Sequence, residues 1–352
     1  MTLQETLDSI KGADAAAQAE CLRRWDAVAK PLHSLGLLET LTARMAGIQG
    51  TSEPHLTKPR VLVFCADNGV IAEGVSQSDS SVTVAVAESL AAGCSNVNLM
   101  ARCAGAEVET YDVGMAVDGK HPAIHREKLS YGTKNLAAGP AMTEEEAVFA
   151  LEAGIRAVET AKAEGCDILV AGEMGIGNTT SSTAVLCALL DLEPEAVTGR
   201  GSGLDDAGLL RKQTAIRRGI TMNRPDPCDA LDVLRKVGGF DIAAMCGVYL
   251  GGAALGVPVV LDGLISCAAA LLAQRFAPRA ADAMLPSHLS KESGAALALD
   301  ALGLRAPICA DLALGEGTGG VALLPLLRMA LTVLNGGHSF DSIGVEAYTP
   351  QN

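Results

Sequence analysis

The chain has 352 residues, of which 49% are hydrophobic, 38 are glycine and only 3% are aromatic, so its core has to be built from Ala, Leu, Val and Ile. That length suffices for one large core or two unequal domains. A formal charge of −14 without a basic stripe argues against nucleic acid, whose phosphates would be repelled, but leaves room for a small anion held by loop amides and local cations.

The first fifty residues read as two or three amphipathic helices with charged faces, carrying Glu5, Asp8 and Lys11, then Glu20, Arg23, Arg24 and Asp26. The start is polar and acidic and lacks the basic-then-apolar pattern of a secretion signal, so a cytoplasmic location is expected. The ten cysteines form no CxxC pair; Cys65, Cys166, Cys187, Cys246, Cys267 and Cys309 lie in apolar runs and read as small buried hydrophobes in a reducing compartment. The run 60–65 (RVLVFC) predicts a strand buried on both faces, ended by the turn Ala66-Asp67-Asn68-Gly69. A helix over 81–92 and a strand over 108–113 complete a βαβ unit. The polar stretch 114–142 has no clear period and reads as an ordered loop over a site.

Thr143 and Glu146 make a capping box for a helix reaching about Lys162. The strand 167–171 (DILVA) then runs into the glycine turn 172–177 and a Ser/Thr/Ala-rich helix. The same alternation returns at 257–263 and near Ile308, and a last helix covers 320–334. Ile242 to Leu261 is uncharged, but its glycines and Pro258 favour a buried helix turning into a buried strand over a membrane span. Together these elements predict an α/β fold, a doubly wound, mostly parallel, Rossmann-like sheet. Residues 1–50 with 321–352 are expected to form a small helical domain, and 51–320 the large α/β domain that holds the active site.

Two glycine clusters carry the chemistry. Gly172, Gly175 and Gly177 lead into Asn178 and Thr179 at a helix start, where exposed amides attract anions and glycine admits a phosphate. The spacing is neither GxGxxG nor a Walker loop, so a dinucleotide or ATP is poorly supported. Gly199, Gly201, Ser202 and Gly203 precede a helix with Lys212, a combination suited to a ribose phosphate. The third feature is Leu314-Gly315-Glu316-Gly317, one acid between glycines before an apolar helix. His33, His55, His121, His125, His288 and His338 make no metal-spaced set, and neither metal nor cofactor is expected. No GxSxG elbow is present. Glu173 and Glu316, read as strand-end acids facing one crevice, suit proton abstraction beside a ribose phosphate.

FCADNGV at 64–70, EGVS at 73–76, GPAMT at 139–143, GEMGIGNTT at 172–180, KVGGFD at 236–241, VLDG at 260–263, PSHLSKESG at 286–294 and LGEGTG at 314–319 occur in this order. In these eight motifs the chain resembles the nicotinate-nucleotide:5,6-dimethylbenzimidazole phosphoribosyltransferases of cobalamin lower-ligand activation. The resemblance implies transfer of the phosphoribosyl group of nicotinate mononucleotide to a base, giving α-ribazole 5′-phosphate and nicotinate, in a homodimer with sites near the subunit interface. It implies Glu316 as general base, with Glu173 and Lys212 beside it. Ser78, Gly175, Gly177, Asn178, Thr179, Gly201, Ser202, Ser290, Leu314 and Gly315 are implied as substrate contacts. One departure stands out: where relatives carry a glutamine over the base pocket, Val82-Thr83 is followed here by Val84, Ala85 and Val86. The acceptor is therefore open between dimethylbenzimidazole, other azoles and phenols, and the assembly between a homodimer and a heterodimer with a paralogue; a noncatalytic paralogue that keeps the fold is the alternative from another class, against which the joint presence of Glu316, Glu173 and Lys212 weighs.

Overall fold

Three helices open the chain: α1 (Leu3–Ser9), α2 (Ala15–Ala27) and α3 (Leu37–Gln49). Thr2 caps α1 reciprocally with Glu5, and Asp14 caps α2 by accepting the Ala16 and Ala17 amides, which satisfies donors that a helix start leaves free. The computed structural model describes residues 1–348. The first predicted strand is β1 (Pro59–Ala66), buried along its whole length. After it come α4 (Ser80–Ala91), α5 (Asn96–Ala104), β2 (Glu107–Gly114) and β3 (Ile124–Arg126).

The middle of the chain gives α6 (Glu144–Ala163), which starts at the expected Thr143–Glu146 capping box, then β4 (Ile168–Met174), α7 (Asn178–Leu190), α8 (Pro194–Val197), α9 (Asp206–Asn223) and α10 (Ala230–Val237). The uncharged stretch forms the buried helix α11 (Phe240–Leu255), turns at Gly256 and enters β5 (Val259–Val260), as its glycines predicted. The chain closes with α12 (Leu264–Phe276), β6 (Met284–Leu285), α13 (Ala295–Ala301) and α14 (Thr318–Gly336). Among the described residues α14 is the one helix long and apolar enough to cross a bilayer; half of its apolar stretch is buried, with Leu323, Leu324 and Leu327 in a core shared with Val61 and Val170.

All six strands are parallel, in the order β3-β2-β1-β4-β5-β6. The chain winds outward in both directions from the β1/β4 pair, so the crevice beyond the C-terminal ends of these two strands is the switch point at which such folds bind ligands. Register places Phe64 beside Glu173 and Cys65 beside Met174. Alternation along β1 and β4 feeds two cores: Leu62, Phe64, Leu169 and Ala171 pack with α6, α7, α11 and α12, while Val61, Val63, Cys65, Ile168 and Val170 pack with α2, α3, α5 and α14. Helices approach closely where glycine allows it. A Cβ on Gly154 would overlap the Ala244 carbonyl, and one on Gly247 the Leu151 carbonyl, so α6 and α11 touch backbone to backbone.

Four expectations need correction. The stretch 114–142 contains the edge strand β3, and its later part closes over the turn after β1, with Thr133 donating its amide to the Asp67 carbonyl at 3.0 Å, instead of lining the cavity described below. Helix α5 was not anticipated. Ile308 forms an isolated parallel bridge to His288, and the last strand is Met284–Leu285. Cys309 is exposed, in an irregular segment outside the named strands and helices.

Candidate active site

The switch point opens into a cavity of about 250 Å³. Its floor is the C-terminal end of β4 and the turn that follows. Gly175 is needed there because a Cβ would collide with the Ala66 carbonyl, and Gly177 adopts φ +95° to start α7. Gly177 and Gly263 stand at the N-cap positions of α7 and α12, and among the described residues no side chain caps either helix. Both free N-termini face the cavity, through Asn178 and Thr179 of α7 and Gly263 to Ser266 of α12, and present positive ends to an anion.

Lys212 lines the same cavity. A lysine on a helix surface ordinarily reaches water, yet this one is 1% exposed. Its ammonium donates to Thr179 Oγ1 at 2.8 Å and to the Gly199 carbonyl at 3.2 Å, which leaves a third proton for a ligand. Burial pulls its pKa down to about 8, against the opposing charge of Glu292. Gly201 turns at φ +53° beside it, and a Cβ on Gly199 would overlap the Glu292 carboxylate. Ser202 and Arg200 complete this wall.

Four acids, Glu173, Asp262, Glu292 and Glu316, line the same cavity. Glu173 sits near the C-terminal end of β4 and is buried; its Oε2 accepts from the Asn178 amide, which also donates to Asp241 Oδ2 at 2.9 Å. Burial, then the charges of Asp241 and Asp262, push the Glu173 carboxyl up to about 8. Burial also raises Asp241, to about 6, despite the Asn178 hydrogen bond. Glu316 is not at a strand end as the sequence suggested. It precedes α14 in a left-handed conformation, φ +61°, between Gly315 at +88° and Gly317 at +86°. Its Oε2 accepts the Val97 amide at 3.4 Å, and burial raises its carboxyl above the usual glutamate range.

Of the residues singled out in the sequence, the structure brings Glu173, Gly175, Gly177, Asn178, Thr179, Gly201, Ser202, Lys212, Ser290, Leu314, Gly315 and Glu316 to this one cavity. Ser78 lies outside its walls, with its amide donating to Ser76 Oγ at 3.1 Å, and Ser76 and Val75 line the cavity in its stead. Val84, Ala85 and Val86 also lie outside it; Val84 and Val86 pack toward the core beneath the sheet. Sequence reasoning missed Asp262, Asp241, Arg200 and Glu292. Asp262 carried the same strand-end signal as Glu173, an acid and a glycine closing an apolar run, and could have been found by it.

A family model described as phosphoribosyltransferase matches residues 10–345. The nicotinate-nucleotide–dimethylbenzimidazole phosphoribosyltransferase of Chloroflexus aggregans is 44% identical over 344 residues, covering 97% of this chain and 98% of the relative. The protein of the same name from Acetivibrio thermocellus is 40% identical and covers 99% of each chain. Among solved structures, CobT from Thermus thermophilus superposes with a TM-score of 0.90 at 44% identity, over 95% of this chain and all of that one. By family model, full-length identity and fold, the chain belongs to the nicotinate-nucleotide–dimethylbenzimidazole phosphoribosyltransferases.

Proposed function

We propose that the cavity transfers the phosphoribosyl group of nicotinate mononucleotide to a lower-ligand base such as 5,6-dimethylbenzimidazole, with Glu316 as general base. One observation carries this: a single cavity is lined by a buried lysine, two uncapped helix N-termini and the carboxylates of Glu173 and Glu316. The lysine and the helix starts suit the 5′-phosphate, held by Lys212, Thr179 and the glycine turns at 175–177 and 201. The Glu316 carboxylate suits the reacting base.

The bond to be broken joins C1′ to a pyridinium nitrogen, which departs neutral and needs no acid. The nucleophile is the difficult part. An azole nitrogen attacks C1′ on the face opposite the leaving nicotinate, and the cation so formed gives its other N–H proton to the Glu316 carboxylate. Glu316 stabilises positive charge as it develops, and alignment of azole and C1′ supplies the remainder. Glu173, held largely protonated, contributes a hydrogen-bonding wall with Asn178 and Asp241 and adds little to the net charge.

The test is turnover of Glu316→Gln with nicotinate mononucleotide and dimethylbenzimidazole. The expected result is a kcat loss of about 10²- to 10⁴-fold with the fold intact; near wild-type turnover would remove Glu316 from the role. Running other benzimidazoles, adenine and phenols beside dimethylbenzimidazole, ranked by kcat/KM, fixes the acceptor. We propose a homodimer, supported by the exposed Leu314 at the cavity mouth, an apolar side chain that a second copy would cover. Sedimentation of the purified chain as an active species of twice the chain mass is expected, and a requirement for a second, different subunit would overturn it.

A further inference from the structure

We infer that Asp262 is the positioning residue of the general base, acting on Glu316 through the first turn of α14. The inference rests on the reading of Glu316 as that base. The Glu316 turn is costly to hold: three successive residues lie at positive φ, and the middle one is not glycine. A left-handed non-glycine residue costs about 1–2 kcal/mol and persists only when its surroundings enforce it.

Asp262 supplies the enforcement from a segment far away in sequence. It closes β5 at the turn before α12, and its side chain is 4% exposed. Oδ1 accepts the amides of Gly319 at 2.7 Å and Gly320 at 3.2 Å, and Oδ2 accepts that of Gly317 at 3.2 Å. Gly319 and Gly320 are first-turn donors of α14, and Gly317 is its N-cap, a glycine with no side chain to serve them. The carboxylate thus does for α14 what a local cap does elsewhere, with a difference in consequence: it ties the helix start, and the Glu316 that precedes it, to the sheet. Two contacts close the clamp. A Cβ on Gly319 would overlap His288, and a Cβ on Gly172 would stand 2.7 Å from the Glu316 carbonyl oxygen, so the turn is pressed between His288 and β4. Asp262 is itself anchored, since its amide donates to Ser266 Oγ at 2.9 Å. In Asp262→Asn an amide nitrogen replaces one carboxylate oxygen and can no longer accept from at least one of these amides, so the turn relaxes and the Glu316 side chain moves relative to the azole, while Thr179 and Lys212, on α7 and α9, stay as they are.

A double-mutant cycle tests this with the full chain, nicotinate mononucleotide and dimethylbenzimidazole, using Asp262→Asn, Glu316→Gln and the pair. Asp262→Asn is expected to lower kcat by about 10- to 100-fold, with KM for nicotinate mononucleotide within about threefold. In the Glu316→Gln background the same substitution is expected to change kcat by less than about threefold, because a residue acting only through Glu316 has nothing left to position. Losses that multiply in the pair, or a loss confined to KM, overturn the inference. Near wild-type turnover of Glu316→Gln alone strikes the base assignment instead, so the two failures are distinct. Should Asp262→Asn not fold, Ser266→Ala takes its place in the cycle. It keeps the carboxylate and removes its anchor, and the expected kcat loss of about 2- to 10-fold should again vanish beside Glu316→Gln; a multiplying loss, or none, overturns the inference.

Discussion

At the scale of single residues, the acids around the switch point make stability depend on pH. Glu173 binds its proton more tightly in the folded chain, where burial and the neighbouring Asp241 and Asp262 hold its pKa near 8, than in the unfolded chain at 4.5. Folding therefore takes up a proton between these values, and the stability associated with Glu173, full below about pH 4.5, is lost as pH rises to about 8. Glu173→Gln removes the dependence while keeping an oxygen for the Asn178 amide. Denaturant unfolding at pH 5 and pH 8 is expected to show the variant gaining on the wild type by on the order of 4 kcal/mol across that window. A constant difference would mean that Glu173 is ionised throughout. Lys212 gives a complementary expectation. With two of its protons committed to Thr179 and Gly199, the third is free for the phosphate, and Lys212→Met should raise KM for nicotinate mononucleotide by about 10- to 100-fold, as loss of a charge-assisted hydrogen bond does, with a smaller change in kcat.

At the scale of elements, the closest packing lies between α6 and α11, and two glycines make it possible. Because a Cβ on Gly154 or Gly247 would overlap a backbone carbonyl of the facing helix, neither Gly154→Ala nor Gly247→Ala can be accommodated by a side-chain shift. Each is expected to destabilise the protein by about 2 kcal/mol or more in urea unfolding, where Gly→Ala on an exposed helix face would stabilise it. This contact also shows what the sequence could and could not disclose. The uncharged run 242–261 announced a buried helix and strand, and the glycines inside it were visible, but their facing partners lie in a helix much earlier in the chain. Strands β1 and β4 were legible because a parallel strand buried on both faces is a continuous apolar run. The strands β5 and β6, of two residues each, carry no period to read, and β6 was missed for that reason. Helix α5 was hidden by its cap, Ser95 with Asn98, which imitates a polar loop between two glycines. The site followed the same division. Glycine turns and strand-end acids stood out locally, whereas the capping of α14 by Asp262 and the burial of Lys212 exist only once the sheet has brought distant segments together.

At the scale of the whole molecule, the two ends of the chain meet. Helices α2 and α3 pack on each other, α3 packs on α14, Arg24 donates to Asn335 at 2.9 Å, and Val28 bridges Ser339. We propose that residues 1–50 with 321–348 form one small helical unit beside the large unit of 51–320, and that this unit has no separate core; 349–352, the end of the expected unit, lie outside the described residues. Trp25, Leu41 and Met45 share their cluster with Val61, Val63 and Val170 of the sheet, and α1 lies against α6 and α11 on the other side. A unit whose apolar face is completed by the sheet cannot outlast it, nor can the sheet keep Val61 and Val170 buried once α14 leaves. The chain's single tryptophan makes this measurable. Trp25 is 1% exposed, its indole N–H donates to Thr42 Oγ1 at 2.9 Å, and the Lys30 ammonium sits 5.2 Å from its ring, so its fluorescence reports the terminal unit alone. Heating should bring the Trp25 fluorescence transition and the far-ultraviolet circular dichroism transition to the same midpoint within about 2 °C, as a single cooperative unit requires. A fluorescence transition well below the dichroism one would mean that the terminal helices melt off an intact sheet. The loss of activity would then track the fluorescence, because the helix that leaves is the one behind Glu316.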